Sequence, residues 1–189
     1  MRALGPGDWP AVEVLFGERG ACGGCWCMAW RLPNREWEEK KGASNKRAFK
    51  RLVTTGRAQG SLAFAGREAV GWCSVGPRAD FKGLERKRSL VTDWDERTWS
   101  VTCFFIHKSW RGRGVAAKLL EEAVRVAREH GATRVEGYPQ AVTKGFGGKL
   151  TATFAWTGVP RIFEQRRFTK LAKTPGKRPI YVRRLRPAR

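Results

Sequence analysis

The 189-residue chain is poor in acidic residues and has no long hydrophobic run. It contains 38 lysine and arginine residues but only 17 aspartate and glutamate residues, which gives a formal net charge of +21. No apolar stretch approaches the ~18 residues that a membrane-spanning helix requires, so we expect no membrane partner. Hydrophobic residues still make up 41% of the chain, with nine tryptophans, which excludes wholesale disorder. The charge favours polyanions, acidic surfaces or phosphorylated cofactors as partners.

The cysteines lack the even number and regular spacing of a disulfide framework. The first residues also lack a basic stretch followed by an apolar segment, so we expect reduced thiols and a cytoplasmic location. Three thiols stand at metal-ligand spacing, Cys-x-x-Cys-x-Cys, but a zinc site needs a second local pair, which the sequence lacks. We therefore expect no metal requirement. The five cysteines are Cys22, Cys25, Cys27, Cys73 and Cys103.

The hydrophobic periodicity alternates between helical and strand spacing, which predicts a mixed α+β domain built on one sheet. The length favours a single domain over residues 1–189. A glycine-rich loop is expected around residues 146–148. Helices are predicted over about 8–17, 44–55, 115–130 and 160–165, and strands over about 61–65, 69–75, 99–106, 133–137, 167–172 and 180–185.

A glycine- and arginine-rich turn, Arg-Gly-Arg-Gly-Val-Ala at 111–116, lies between the buried strand and the amphipathic helix. Glycines let the backbone approach a ligand, and the first helical turn offers N–H groups to a pyrophosphate. The Lys-Ser/Thr of a P-loop is absent. Gly112, Gly114 and Ala117 fit a dinucleotide fingerprint, with Glu136 as its ribose acid. Five residues separate the strand from Gly112, however, and further βα units are missing, which disfavours that interpretation.

Residues 104–117 resemble motif A of the GNAT superfamily of acyl-CoA-dependent N-acetyltransferases. That motif reads Arg/Gln-x-x-Gly-x-Gly/Ala, here Arg111, Gly114 and Ala116. The hairpin at 62–72, the helix end and strand at 129–136 and the passage at 163–168 resemble other parts of the family in the same order. The resemblance covers about residues 60–185, and residues 1–59 are expected to cap the acceptor side.

The resemblance implies a mixed, mostly antiparallel sheet that splays apart at two parallel strands, where acetyl-CoA binds. It also implies that an amine attacks the thioester directly, so neither a protein nucleophile nor a metal is needed. The coenzyme's pantetheine arm would pair with the strand before the turn, and its pyrophosphate would rest on the turn. The implied coenzyme-binding residues are Phe104, Phe105, Ile106, Arg111, Gly112, Arg113, Gly114, Val115, Ala116 and Ala117.

The sequence departs from the family pattern at two positions. Phe163 stands where the family's tyrosine is often proposed as general acid, and Arg167 replaces a glycine, so that turn must differ or carry strain. We predict Glu136 as general base and Tyr138 as acid or substrate contact, since both share one strand face. The alternative is that Glu136 pairs with an arginine and Tyr138 only packs.

The acceptor side of the site is predicted from aromatic and acidic residues. Trp26, Met28, Trp30 and Trp72 are expected to wall the acceptor pocket, although all four are equally typical of a core. Asp93 and Asp95 belong to an acidic island before the central strand and would attract an ammonium group. Their alternative role is an ordinary solvated loop.

These features predict an enzyme that transfers acetyl from acetyl-CoA to a primary amine, as a monomer or homodimer. The alternative is a nucleic-acid- or ribosome-associated basic protein that keeps the GNAT fold with secondary or lost catalysis. Its Arg/Lys-rich C-terminus, 177–189, would then contact RNA or DNA phosphates.

Overall fold

A mixed sheet lies at the centre of the computed structural model, which describes residues 1–140, 155–174 and 176–186. The predicted glycine-rich loop at 146–148 lies outside the described residues. The described strands are β1 (Arg2–Ala3), β2 (Gly60–Ala65), β3 (Glu68–Pro77), β4 (Thr98–Ile106), β5 (Arg134–Gly137), β6 (Thr169–Lys170) and β7 (Tyr181–Arg184). These seven strands form one sheet in the order β1-β2-β3-β4-β5-β7-β6.

All neighbouring strands of the sheet are antiparallel except β4 and β5, which run parallel. A parallel pair needs a crossover connection, and a long amphipathic helix supplies it here. The predicted mixed, mostly antiparallel sheet with one parallel pair is therefore confirmed.

The described helices vary from one to four turns, and none of them is both long and apolar enough to cross a membrane. The longest begins and ends within one residue of its prediction. Two short helices, at 34–39 and 82–85, were not predicted, because each is largely polar and lacks an apolar stripe. The helices are α1 (Trp9–Phe16), α2 (Asn34–Glu39), α3 (Ala43–Thr54), α4 (Lys82–Glu85), α5 (Val115–Glu129) and α6 (Pro160–Glu164).

Hydrophobic side chains pack against both faces of the sheet. On one face, α5 buries Leu119 and Leu120 against β3 and β4. On the other face, α1 and α3 bury an aromatic cluster against Trp72 of β3. Residues 98–102 of β4 are all buried, as its continuous apolar sequence predicts. The rings of the second cluster are Trp9, Phe16, Trp26, Phe49 and Trp72.

The turn after α6 carries strain at the position where the family pattern has glycine. Arg167 adopts a left-handed conformation with φ of +61°, and its N–H donates to the carbonyl of Glu164. A left-handed residue with a Cβ costs roughly 1–2 kcal/mol. The turn therefore has the left-handed conformation typical of glycine and carries strain at Arg167. The sequence analysis expected either this strain or a different turn.

Candidate functional site

The parallel strands β4 and β5 separate part-way along their length. They pair from Thr98 and Arg134 to Val101 and Gly137, where β5 ends while β4 continues to Ile106. At the same level β4 contains a β-bulge, where Thr102 is an extra residue between two that pair with β3. A bulge bends its strand, so β4 departs from the direction of β5 where the pairing stops. Among the described strands, none pairs with this side of β4 beyond Val101.

Every second residue at the end of β4 turns its backbone N–H and carbonyl toward this opening. The N–H of His107 donates to the carbonyl of Val70 on β3. Phe105 precedes His107 by two residues, so its backbone also faces β3. Phe104 and Ile106 face the opening instead. There the N–H of Phe104 donates to the carbonyl of Trp156 at 2.6 Å. Phe105 thus contributes its side chain to the site, and Phe104 and Ile106 contribute the backbone edge.

The glycine turn is open and faces solvent at the N-terminus of α5. Gly112 and Gly114 have φ of +75° and +74°, and a Cβ at either would meet nothing within 4 Å. The N–H groups of residues 112–117 have no acceptor in the described part of the chain. Because α5 has 15 residues, its dipole places partial positive charge at these groups. The turn therefore presents open space and partial positive charge, which complement an anion.

Two arginines flank the turn. Nε of Arg111 donates to the carbonyl of Ile106 at 3.0 Å, which fixes the start of its side chain against the strand edge. The guanidinium of Arg113 lies over the ring of Trp110, 5.1 Å from its centroid. Neither arginine has a carboxylate partner among the described residues. Their charge adds to that of the helix N-terminus.

A cavity of about 330 Å³ lies between the open edge of β4 and the turn. It brings together five of the predicted coenzyme residues. The opposite wall comes from Trp156, Gly158, Val159 and Ile162, and Ala21 and Cys22 close one end. The five predicted residues are Phe104, Phe105, Ile106, Arg111 and Ala116.

A second cavity of about 170 Å³ adjoins the first and shares four lining residues with it. Its walls are thiols and aromatic rings, and the described lining includes no charged side chain. Trp30 and Trp156 lie here with ring centroids 5.7 Å apart. The shared residues are Cys22, Phe104, Phe105 and Trp156, and the others are Cys25, Cys27, Ala29, Trp30, Trp37, Thr102 and Cys103.

Of the three tryptophans predicted to wall the acceptor pocket, two lie elsewhere. Trp26 and Trp72 are 2% and 0% exposed inside the aromatic cluster and line neither cavity. Trp30 does line the second cavity, together with Trp37 and Trp156, which sequence reasoning missed. No sequence signal distinguished the last two, because they come from α2 and from the segment before α6.

The acidic pair of the sequence analysis also lies away from the two cavities. Asp93 and Asp95 are exposed and precede the first residue of β4, whereas the sheet opens beyond its fourth. Oδ1 of Asp95 accepts hydrogen bonds from the N–H of Arg97 and the hydroxyl of Thr98, both at 3.0 Å. This carboxylate therefore orders the turn that enters β4.

Glu136 and Tyr138 come together in a fully buried network. The Tyr138 hydroxyl donates to Glu136 Oε2 at 2.7 Å, and Nη1 of Arg78 donates to the same hydroxyl at 2.5 Å. Glu136 forms ion pairs with Arg134 at 2.6 Å and Arg78 at 3.4 Å. Burial and the neighbouring Glu136 charge raise the pKa of Tyr138 well above its usual value. Neither residue lines the two cavities.

Sequence reasoning missed Arg78, which is 1% exposed at the centre of this network. The only sequence signal for a buried arginine partner was a single glutamate, Glu136, within a strand of a very basic chain. The predicted roles of Glu136 as base and Tyr138 as acid stay predictions. What the geometry shows directly is a carboxylate that neutralises two arginines.

A model of the acetyltransferase (GNAT) family matches residues 26–142, more than half of the chain. The chain belongs to the GNAT acetyltransferase family. The family resemblance read from residues 104–117 is thereby confirmed, and the protein is an acyltransferase by membership. A search of curated protein sequences found no significant match for this acetyltransferase.

Solved structures similar to this acetyltransferase share its fold at low sequence identity. An N-acetyltransferase from Staphylococcus aureus Mu50 has 11% identity and a TM-score of 0.55, over 98% of this chain and 97% of that chain. A GNAT phosphinothricin acetyltransferase from Sinorhizobium meliloti, in complex with acetyl-CoA, has 13% identity and a TM-score of 0.54, over 97% and 86%. The putative acetyltransferase yncA from Salmonella typhimurium, with acetyl-CoA, has 14% identity and a TM-score of 0.53, over 97% and 91%.

Within the described residues, no group of three or more His, Cys, Asp or Glu side chains is placed to hold a metal ion. The Cys-x-x-Cys-x-Cys segment instead spreads its thiols around the second cavity. Cys22 is exposed, Cys25 is half-buried and Cys27 is buried. Burial raises the pKa of Cys25 to about 11, so this thiol keeps its proton near neutral pH.

Proposed function

We propose that this acetyltransferase binds acetyl-CoA in the opening between β4 and β5 and transfers its acetyl group to a primary amine held in the second cavity. The observation that carries the proposal is the open glycine turn at the mouth of a sheet that separates beyond Val101. N–H groups without an acceptor among the described residues, two arginines and a strand edge that β5 does not pair with meet there. Each of these features complements one part of a nucleotide thioester.

The turn would hold the pyrophosphate and the strand edge would hold the pantetheine arm. Val115 and Ala117 are buried, so they would contribute their N–H groups rather than their side chains. Arg111 and Arg113 supply the charge-assisted bonds that a diphosphate accepts. Along β4, the arm would take over the N–H of Phe104 that now donates to Trp156.

The chemical step needs an unprotonated amine and a stabilised oxyanion. Bound acetyl-CoA supplies a thioester: the amine nitrogen bonds to its carbonyl carbon, the carbon–sulfur bond breaks and the coenzyme leaves as a thiolate. An N–H from the open edge, at Phe104 or Ile106, would donate to the developing oxyanion. Phe163 has no proton to give the thiolate, so water or another residue must supply it.

The second cavity favours an acceptor amine with an apolar or aromatic body. Its described lining contains three tryptophans and two phenylalanines but no carboxylate that would pair with several ammonium groups. Aromatic faces attract both apolar rings and single cations. A polyamine would lose the hydration of its extra charges without compensation. We therefore expect arylalkylamines to be better acceptors than polyamines.

Calorimetric titration with acetyl-CoA tests the first part of this proposal, with binding expected at micromolar ligand. Release of the coenzyme thiol during incubation with a panel of amines tests the second part. We expect faster release with arylalkylamines than with polyamines of similar length. A folded sample that binds no acetyl-CoA at micromolar concentration would contradict the proposal. Equal rates with both amine classes would contradict only the acceptor assignment.

A second candidate function, contact with nucleic acid, is favoured by an open concavity lined almost entirely by arginines. Its described lining contains no acidic side chain. It lies at the C-terminal end of α5, about 20 Å of helix away from the glycine turn, so both sites are free to be occupied together. The lining residues are Arg128, Arg167, Arg183, Arg184, Leu185 and Arg186.

Several other basic residues are already engaged, and within the concavity Arg183 pairs with Glu121 at 2.9 Å, which leaves Arg128, Arg167, Arg184 and Arg186 for phosphates. Lys40 and Lys41 pair with glutamates of α2, and the Arg178 guanidinium donates to the carbonyl of Tyr138 and the hydroxyl of Thr157. The arginine concavity is therefore the part of the basic C-terminus that supports a phosphate contact. The predicted contribution of Arg178 to that surface is disfavoured, because its side chain faces inward.

Substitution of Arg184 and Arg186 by serine should weaken binding to a short DNA or RNA duplex, measured by fluorescence anisotropy. If four arginines each neutralise a phosphate, raising the salt from about 50 to about 200 mM should weaken wild-type binding roughly 100-fold. The matched control replaces Lys40 and Lys41, which removes the same charge from ion-paired positions. Equal loss in both double variants, or binding without salt dependence, would exclude the arginine concavity as the contact.

A further inference from the structure

The loop between α1 and α2 holds unusual backbone conformations. Ala21, Trp26 and Cys27 have φ of +69°, +42° and +57°, left-handed values that side chains with a Cβ rarely adopt. Trp26 is anchored in the aromatic cluster, with its ring 5.7 Å from those of Trp9 and Phe16. Strain of this kind persists where the surroundings over-determine it, and it concentrates at functional sites. Here it aims the Cys27 side chain toward β3 and β4.

The sulfur of Cys27 is surrounded by groups that stabilise a thiolate. The indole N–H of Trp72 donates to it at 3.1 Å, and Cys103 packs against the same hydrophobic cluster and lines the same cavity. The guanidinium of Arg31 is buried nearby, with a single carboxylate, Asp80, at 3.4 Å. Nε of Arg31 has no hydrogen-bond partner among the described residues. A negative charge on Cys27 would compensate this buried cation.

The two thiols of the pair therefore differ in protonation. The neighbouring Cys103 thiol, followed by the Trp72 donor and the Arg31 charge, lowers the pKa of Cys27 to about 7 despite its burial. The neighbouring Cys27 sulfur and burial raise the pKa of Cys103 well above its usual value. Near neutral pH a substantial share of Cys27 is thiolate while Cys103 holds its proton, the arrangement that thiol–disulfide chemistry uses.

Small molecules reach this pair through the second cavity. Cys27 and Cys103 both line it, and it joins the larger cavity that opens at the glycine turn. Cys73 differs, because it is 0% exposed and lines neither cavity. Burial raises its pKa well above the usual value. Among the five cysteines, Cys27 and Cys103 are therefore the pair that combines access from the cavity with one thiol of lowered pKa.

We propose that Cys27 and Cys103 form a redox-active pair that a hydroperoxide oxidises to a disulfide. The Cys27 thiolate attacks the peroxide, its sulfur–oxygen bond forms as the oxygen–oxygen bond breaks, and the leaving oxygen takes up a proton. The Cys103 sulfur then displaces hydroxide from the Cys27 sulfenic acid, and its proton leaves with that hydroxide as water. Two thiols lose two electrons, and the peroxide is reduced to water, or to water and an alcohol.

The consequence for activity depends on the proposed acetyl transfer. A disulfide would tie the loop after α1 to β4 one residue before Phe104, across the second cavity. The glycine turn lies outside this link. Oxidised protein should therefore keep acetyl-CoA binding and lose most of its turnover with amines, and a dithiol should restore that turnover.

Peptide mapping of the full-length protein after brief treatment with hydrogen peroxide tests the pair directly. The expected product is a Cys27–Cys103 disulfide that a dithiol reverses. Cys103→Ser should leave Cys27 as a sulfenic acid that dimedone labels, whereas Cys27→Ser should abolish both products. Cys73→Ser is the matched control and should behave like the wild type.

A disulfide that joins Cys22 and Cys25 in place of the proposed pair would overturn the proposal, as would dimedone labelling unchanged by Cys27→Ser. Mapping on wild-type protein decides the pairing even where a serine variant is unstable, and Cys103→Ala provides a second test of the resolving step. The mass readout does not depend on acetyl transfer. A failure of the proposed function would appear separately, as a lack of acetyl-CoA binding by reduced protein.

Discussion

Replacing Gly114 with tryptophan should abolish acetyl-CoA binding and leave the fold intact. Gly114 is the residue before the first turn of α5, and space around its missing Cβ is open. An indole there would fill the concavity above the N–H groups that we propose receive the pyrophosphate. Hydrogen bonds to charged groups contribute about 1.5–3 kcal/mol each, so losing two would weaken binding at least about 100-fold. Calorimetric titration measures the affinity, and a thermal melt measures the stability.

Gly131 provides the matched control for this substitution. It lies just beyond the other end of α5, has φ of +81° and is also surrounded by open space. Tryptophan at either glycine should cost a similar 1–2 kcal/mol for the left-handed conformation. Gly131→Trp should therefore show the same fall in melting temperature with unchanged acetyl-CoA affinity. If both variants bind acetyl-CoA equally well, the turn at 111–116 is not the pyrophosphate site.

The geometry of the proposed coenzyme side was largely predictable because its elements are local in sequence. The turn, the N-terminus of α5 and the end of β4 are consecutive, so one stretch of chain carries both the ligand chemistry and its scaffold. Helical periodicity placed α5 to within one residue. The β-bulge at Thr102 was not predictable, because bulge formation depends on the register with β3 rather than on a local sequence signal.

The proposed acceptor side was less predictable because distant segments build it. The loop after α1, the end of β4 and the segment around Trp156 converge on one cavity. Within the loop, left-handed residues place Trp26 in the core while Trp30 lines the cavity, and such conformations leave no periodic signal. Asp93 and Asp95 were predicted from charge alone, and charge does not determine which end of a strand a loop occupies.

Removing the buried carboxylate at the centre of the sheet should unfold a large part of the population. Glu136→Ala leaves Arg78, which is 1% exposed, without a countercharge and deprives Arg134 and Tyr138 of their acceptor. Deleting one partner of a buried ion pair costs about 3–5 kcal/mol. Urea denaturation measures the change in unfolding free energy. The control is Glu121→Ala, whose pair with Arg183 is exposed on its acidic side, and we expect it to cost less than about 1 kcal/mol.

Glu136→Gln separates a structural role from a catalytic one. The amide keeps an oxygen acceptor for Arg134 or Tyr138 but neither the charge nor a basic site. If Glu136 only neutralises the arginines, the variant should lose stability while the turnover per folded molecule stays close to that of the wild type. If Glu136 deprotonates the amine, turnover should fall even in fully folded protein, and raising the pH should partly restore it, because free amine then becomes abundant. The full burial of the carboxylate and its absence from both cavity linings favour the structural outcome.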